Sequence, residues 1–388
     1  MVLEKTLINK FKEIFGEEAK YLIDTGGRFE ICGNHTDHNH GLCLVANCSL
    51  RIKGAVSESS EVKIFSKGYP LISFSLDDLE AKESERGTTL SLAKGVLFHL
   101  KELGYKIGGF KIYIESEIPN GSGVSSSAAI ESLFGYLISY LYNEGKISPL
   151  VIAKTGQYSE NNYFYKPCGL LDQIGTSFDS SNFIDFKNIE NPFIETLPFK
   201  LPLTLYLIKS LGNHSNLTPL YAAIPSSMNE VAKLLENKTY LRDISDTKNI
   251  FERIDNLNID EAKKRKAKHF FIENQNVLDA KKAIEENNLE NFLKAIRNSE
   301  DSSDKNLENT FVKGEYKGSP KEIIDNVSKF IKDNGAIRIH GGGFKGTTLA
   351  FIKNEFTNKF DKYLKDNYQE NRYFKVLISE KAVHFKRV

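Results

Sequence analysis

The chain has 388 residues, 40% apolar and 27% charged, which is enough to bury more than one core, so two domains are expected. Its 52 basic and 51 acidic side chains almost cancel, so no extended field exists to hold nucleic acid or an anionic membrane, and a small-molecule partner is the default. The first twenty residues form an amphipathic helical pattern with charges spread through it, unlike a signal peptide, and no apolar run approaches the roughly 20 residues that a bilayer span needs. The four cysteines, Cys32, Cys43, Cys48 and Cys168, form no CxxC pair that would suggest zinc or a redox couple. These features predict a cytoplasmic protein with free thiols.

From Gly26 to Phe65, β-rich stretches flank a polar, glycine-punctuated loop, predicting strands joined by a functional turn. The run from Gly27 to Gly41 is dense in hydrogen-bonding side chains. Asn34, His35 and Asp37 could supply both donors and acceptors to the hydroxyls of a pyranose. A metal site competes, because His35, Asp37, His38 and His40 are possible ligands, but their spacing matches no HExxH or cysteine-histidine pattern. A polar surface turn is the third reading.

Phe110 to Ile118 alternates apolar and polar residues like a strand, Pro119-Asn120-Gly121 stops it, and apolar residues then recur at helical spacing from Ser126 to Tyr142. The loop between them, Pro119 to Ala128, is a candidate phosphate cradle. Gly121 and Gly123 let backbone N–H groups approach an anion, and Ser125, Ser126 and Ser127 add hydroxyls for phosphate or magnesium. No Gly-Lys-Ser/Thr follows, so it is not a Walker A loop; an ordinary capped helix is the alternative. Residues 148 to 165 read as a further helix ended by Pro167. In Cys168-Gly-Leu-Leu-Asp172-Gln173 the apolar flanks imply a partly buried Asp172, which with Arg28 could serve as proton acceptor and charge stabiliser, or could be a structural ion pair. A domain boundary is expected near residues 195 to 205. A polar helical stretch runs from about Asn229 to Ser299, and strand-loop-strand character returns from Ala336 to Ile352.

In this order, the segments resemble the GHMP kinase superfamily and, within it, the galactokinases. Gly27 to Asn39 is similar to the family's Gly-Arg-Val-Asn-Leu-Ile-Gly-Glu-His-Thr-Asp-Tyr-Asn signature, and Pro119 to Ala128 to its Pro-x-Gly-x-Gly-Leu-Ser-Ser-Ser-Ala loop. Gly156, Gln157, Glu160, Asn161 and Cys168 to Gln173 resemble its Gly-Gln-x-x-Glu-Asn and Cys-Gly-x-x-Asp-Gln segments; Gly341 to Gly346 resembles its late glycine loop, and His214, Ser215 and Tyr221 its His-Ser and Tyr positions. The resemblance implies an α+β, two-domain fold: an N-terminal ribosomal-protein-S5-like domain over residues 1–200, a ferredoxin-like C-terminal domain over 201–388, and a site in the cleft between them. It also implies ATP-dependent phosphorylation of the C1 hydroxyl of galactose, with Asp172 as the base and Arg28 beside it. Gly121, Ser122, Gly123, Val124, Ser125, Ser126 and Ser127 would wrap the ATP phosphates, Ser127 and Glu160 would hold Mg²⁺, and Asn34, His35, Thr36, Asp37 and Tyr221 would line the sugar pocket.

Four departures stand out: Asn34 where the family carries a Glu that contacts the C6 hydroxyl, His38 for the usual Tyr, Lys345 for a Gly, and Thr25-Gly26 for Ala-Pro. Because an amide does not repel a C6 carboxylate, a galacturonate kinase is the alternative, and a non-catalytic galactose sensor is a second one. Kinases for mevalonate or homoserine would share the phosphate loop but lack the His-Thr-Asp loop and the Cys-Gly-x-x-Asp-Gln segment. The expected partners are a small-molecule sugar and ATP, with no nucleic acid and no membrane, and a monomer is compatible with the sequence.

Overall fold

The computed structural model describes residues 2–212 and 217–388. Two sheets organise them. The first contains β1 (Tyr21–Cys32), β2 (Leu42–Ser59), β3 (Val62–Ser66), β4 (Ile72–Phe74), β5 (Gly109–Ser116), β6 (Ser181–Asp185) and β7 (Phe193–Leu197). The second contains β8 (Leu203–Lys209), β9 (Gly335–His340), β10 (Thr347–Lys353) and β11 (Tyr373–Val376), in the order β11-β8-β10-β9 and antiparallel throughout. The final strand, β12 (Val383–Arg387), returns to the first sheet and pairs with β1, so the end of the chain completes the sheet that its beginning opens.

Helices α1 (Val2–Phe15), α2 (Thr89–Glu102), α3 (Ser126–Tyr142), α4 (Pro149–Asn162) and α5 (Leu171–Ser177) accompany the first sheet. Their starts follow from capping chemistry: the Thr88 side chain accepts from Ser91 N–H, and Ser148, followed by Pro149, accepts from Val151 N–H. The polar stretch predicted as helical resolves into α6 (Thr218–Glu236), α7 (Ile250–Asp255), α8 (Glu261–Glu285) and α9 (Leu289–Ser302); α10 (Pro320–Ile331) and α11 (Thr357–Asn367) complete the set.

The second sheet is buried on both faces, which explains why its strands read as almost continuous apolar runs. Alternate residues part company. Tyr206, Ile208, Ile337, Ile339, Ala350 and Ile352 pack with Val327 of α10 and Phe360 of α11, whereas Leu205, Leu207, Leu349 and Phe351 pack with Phe292 and Ile296 of α9. That second group belongs to the same cluster as Leu44, Ala46, Leu133 and Leu137, so one core runs from the first sheet through α8 and α9 to the second. No helix of the described residues is long and apolar enough to cross a membrane.

Candidate active site

The pairing of β1 with β2 shifts register between Gly26 and Arg28. The two glycines there are a steric requirement: a Cβ on Gly27 would lie 2.6 Å from the Val124 carbonyl oxygen, and one on Gly26 would lie 2.4 Å from the Cys48 carbonyl oxygen. The missing Cβ of Gly27 lets the loop before α3 lie against β1, where Arg28 N–H donates to Val124 O at 2.9 Å. Within that loop Gly121 (φ 68°), Gly123 (φ 75°) and Ser125 (φ 56°) are left-handed, and α3 starts immediately after. Alternating backbone of this kind in front of a helix N-terminus presents N–H groups to an anion. Ser122 and Val124 are buried and anchor the loop, Ser122 through its carbonyl, which accepts from Thr347 Oγ1 at 3.1 Å. Lys209 adds a cation at the rim, its Nζ donating to Asn120 O at 2.7 Å.

Arg28 then joins this loop to Asp172. Its Nη1 donates to Gly123 O at 2.5 Å, while Nε and Nη2 both lie 2.7 Å from Asp172 Oδ1. The Ser125 hydroxyl donates to the other carboxylate oxygen, Oδ2. Burial pushes the Asp172 carboxyl upward, but the Arg28 charge, the Ser125 hydrogen bond and Lys166 outweigh it and hold the group below the ordinary carboxylate range. A carboxylate kept ionised beside a phosphate loop is equipped to accept a hydroxyl proton.

On the other side of the loop, Ser127 Oγ donates to Glu160 Oε1 at 2.9 Å, and Gln173 Nε2 donates to Glu160 Oε2 at 2.8 Å. Lys166 Nζ reaches the same Oε1 at 2.7 Å. Behind them, burial and then the Glu160 charge push the Glu131 carboxyl well above its ordinary range. A hydroxyl and a carboxylate at hydrogen-bonding distance fit Mg²⁺, which takes oxygen ligands from one or two protein groups and fills its remaining positions with water and phosphate. Among the described residues, no group of three or more His, Cys, Asp or Glu side chains forms a metal cage. This leaves His35, Asp37, His38 and His40 without metal-site geometry.

The polar loop after β1 and the start of α5 enclose a cavity of about 180 Å³, lined by Arg28, Glu30, Asn34, His35, Asp37, His38, Cys168, Gly169, Leu171, Asp172, Gly341 and Gly342. This volume is below the 300–1,000 Å³ typical of larger-ligand pockets and its walls are rich in hydrogen-bonding groups, which suits a small polyol. A larger recess of about 1,000 Å³ lies between α1, β1 and β12 and contains none of these residues. His35 offers a specific vacancy: burial, followed by His38, brings its pKa down to about 4, Nε2 faces Gly342 O at 3.0 Å, and the buried Nδ1 has no partner among the described residues. The ring is therefore neutral, with an acceptor lone pair unspent.

Two expected sugar contacts do not reach this cavity. The Thr36 hydroxyl is fully buried and engages Gly33 O, Leu42 O and Cys43 Sγ, which makes Thr36 the internal brace of the loop. Tyr221 lies behind the late glycine loop, donating to Gly343 O at 3.1 Å with its ring 6.5 Å from that of His35. Lys345 pairs with Glu315 at 2.7 Å. His214 and Ser215 lie outside the described residues.

Sequence reasoning missed the residues that hold the loop from below. In α8, buried Glu273 accepts from Gly33 N–H at 2.9 Å and Asn34 N–H at 3.1 Å, Asn274 accepts from Leu42 N–H at 2.7 Å, and His269 Nε2 meets Asn34 O at 2.9 Å. Burial alone would raise the Glu273 carboxyl, but His269 and Arg338 pull it down to about 2. Arg338, fully buried on β9, bridges Glu30 Oε1 at 3.3 Å and the Glu30 carbonyl at 3.0 Å. His340, two residues on, accepts from Glu30 N–H at 3.1 Å. An Arg and a His alternating with isoleucines in the apolar run Ala336 to His340 was the available signal.

Comparison with known proteins accords with this arrangement. Residues 91–179 match the family described as GHMP kinases N terminal domain. Residues 9–58 match the galactokinase galactose-binding signature. Galactokinase of Lactobacillus helveticus is 27% identical over 376 residues, covering 95% of this chain and 94% of that protein. The Clostridium acetobutylicum galactokinase is 29% identical over 385 residues, covering 94% and 93%. Among solved structures, Lactococcus lactis galactokinase complexed with galactose superposes with a TM-score of 0.82 at 24% identity, covering all of both chains. Methanococcus jannaschii mevalonate kinase shares the fold with a TM-score of 0.67 at 16% identity, covering 93% of this chain and 98% of that one. The fold is shared with these kinases, and the loop before α3 lies within the segment that matches the GHMP kinases N terminal domain. The relatives that match along nearly the whole chain are galactokinases at 27–29% identity, and the galactose-binding signature falls on β1 and the loop after it.

Proposed function

We propose that the protein transfers the γ-phosphoryl group of ATP to the C1 hydroxyl of galactose, giving galactose 1-phosphate and ADP. The observation that carries this reading is the position of Asp172, which lines the polar cavity and is clamped by Arg28 and Ser125 to the phosphate loop. One carboxylate thus faces both the place for a sugar hydroxyl and the place for a phosphate. Asp172 accepts the hydroxyl proton as the oxygen attacks phosphorus, and Arg28 balances charge beside it. Gly121 to Ser127 supply N–H groups and hydroxyls to the phosphates. Ser127 and Glu160 would supply oxygen ligands to Mg²⁺, which would contribute charge neutralisation when bound. His35 and Asp37 contact sugar hydroxyls.

The test is ATP consumption by purified protein with Mg²⁺ against galactose, galacturonate, N-acetylgalactosamine, L-arabinose and glucose. Turnover of galactose well above the others supports the reading. Binding of galactose with no phosphoryl transfer would leave a sensor on the kinase fold.

A further inference from the structure

The position where the family carries its C6-contacting Glu is Asn34 in this chain, and the structure shows that the Asn34 amide has little left for a sugar. Its Nδ2 donates to Glu30 Oε1 at 2.8 Å and to Gly341 O at 2.8 Å, and its Oδ1 accepts from Asn309 Nδ2 at 2.8 Å. Both amide donors are spent. Glu30, by contrast, lines the cavity with its side chain 8% exposed, and its bonds from Asn34 and Arg338 all fall on Oε1. Among the described residues, Oε2 accepts no hydrogen bond.

The family signature places Asn where this chain has Glu30 and Glu where it has Asn34. The two residues have therefore exchanged side-chain type across a direct hydrogen bond, and the carboxylate has moved to the strand. Arg28 and Glu30 are alternate residues of β1 in unbroken register with Asn47 and Val45, so they point to the same face roughly 7 Å apart. That separation is comparable to the distance between the two ends of a hexose, with Asp172 held at the Arg28 end.

We propose that Glu30 is the specificity-determining carboxylate of the sugar cavity, positioned by Asn34, which accepts the hydroxyl of a neutral sugar at the end away from Asp172 and excludes sugars carrying a carboxylate there. The inference rests on the galactokinase reading above. The charges in the cavity favour it. Glu30, Asp37 and Asp172 all line the cavity, the Arg28 cation is committed to Asp172, and Arg338 lies beneath the wall, fully buried and held by Glu30 and the nearby Glu273. A galacturonate would bring a second carboxylate against Glu30 with no free cation to receive it. The neutral amide at position 34 therefore does not open this site to acidic sugars.

The experiment compares wild type, Glu30→Gln, Asn34→Glu and the exchange double variant Glu30→Asn/Asn34→Glu. It measures kcat/KM and calorimetric affinity for galactose, for L-arabinose (which has the galactose configuration without C6) and for galacturonate. Losing a hydrogen bond to a charged acceptor is expected to lower galactose kcat/KM roughly tenfold or more in Glu30→Gln. L-Arabinose should change far less, and the ratio of galacturonate to galactose should rise. Asn34→Glu alone should lose galactose binding, because it sets two carboxylates against each other, and the double variant should regain it. An equal loss for galactose and L-arabinose in Glu30→Gln, or a double variant no better than Asn34→Glu, would overturn the proposal. If wild type binds galactose without phosphorylating it, the kinase reading fails while the affinity ratios still decide the role of Glu30; if it binds neither galactose nor L-arabinose, both fail.

Discussion

Arg28 holds one oxygen of Asp172 through two nitrogens at 2.7 Å, and Ser125 donates to the other oxygen, so both carboxylate oxygens have a partner. On the proposed reading the C1 hydroxyl approaches Asp172 from the cavity and competes with these partners. Ser125 is the easier to displace, because a hydroxyl rotates about one bond whereas the guanidinium is fixed by three contacts. Asp172→Asn keeps the shape but neither accepts a proton nor balances Arg28. We expect kcat to fall by about 10²–10⁴-fold, the range for loss of a general base, with galactose affinity within a few-fold of wild type by calorimetry. Wild-type turnover in this variant would show that the base lies elsewhere.

Removing the Ser125 hydroxyl tests the same relationship through pH. Asp172 is held below the ordinary carboxylate range partly by that hydrogen bond, and the form proposed to act as base is the ionised one, present above its pKa and lost as pH falls through it. Ser125→Ala raises the pKa of the free enzyme, so the acidic limb of the kcat/KM profile moves to higher pH while the plateau above it is less affected. A profile that keeps its acidic limb in place would remove Ser125 from the control of Asp172.

Lys166 bears on the proposed Mg²⁺ site. Its ammonium shares Glu160 Oε1 with the Ser127 hydroxyl, at 2.7 and 2.9 Å, and a divalent ion taking that oxygen has to displace it. Lys166→Met is expected to tighten Mn²⁺ binding to the ADP complex, measured by electron paramagnetic resonance, and to lower the Mg²⁺ concentration for half-maximal rate. Weaker Mn²⁺ binding would mean instead that the lysine orders Glu160.

The parts of the site that were legible in the sequence are those with a local signature. Glycines at Gly121 and Gly123, where backbone must turn left-handed, and a dense polar run after Arg28 both declare themselves within a dozen residues. Asp172 was readable because it directly follows the apolar pair Leu170-Leu171 within Cys168-Gly-Leu-Leu-Asp172-Gln173. Illegible were the residues whose role depends on distant pairing. Glu273 and His269 sit on a helix so rich in Lys, Glu and Asn that no pattern marks which polar side chains face inward, yet both are fully buried under the sugar loop. Thr36 and Asn34 belong to a motif that points at the sugar, but their hydrogen bonds are made within the protein, a distribution only the fold determines. The return of β12 to β1, across more than 350 residues of chain, has no local signal at all.

Glu300 gives a prediction for stability rather than catalysis. It is buried on α9, its Oε2 accepts from Ile339 N–H at 2.6 Å, and its Oε1 has no partner among the described residues. Burial pushes its pKa up to about 8, against the pull of that hydrogen bond and of Arg338. The folded state therefore keeps a proton that the unfolded chain releases near pH 4.5, so the stability from this group is complete below that pH and declines as pH rises toward 8. At 1.36 kcal/mol per pKa unit, the decline is at most about 5 kcal/mol. Glu300→Gln has no proton to lose and keeps an acceptor for Ile339. Its melting temperature relative to wild type should rise between pH 5 and about pH 8 and level off above that, as followed by calorimetry in buffers of matched ionic strength. A difference independent of pH would show that Glu300 is ionised in the folded protein, with the nearby Arg338 as its counter-charge.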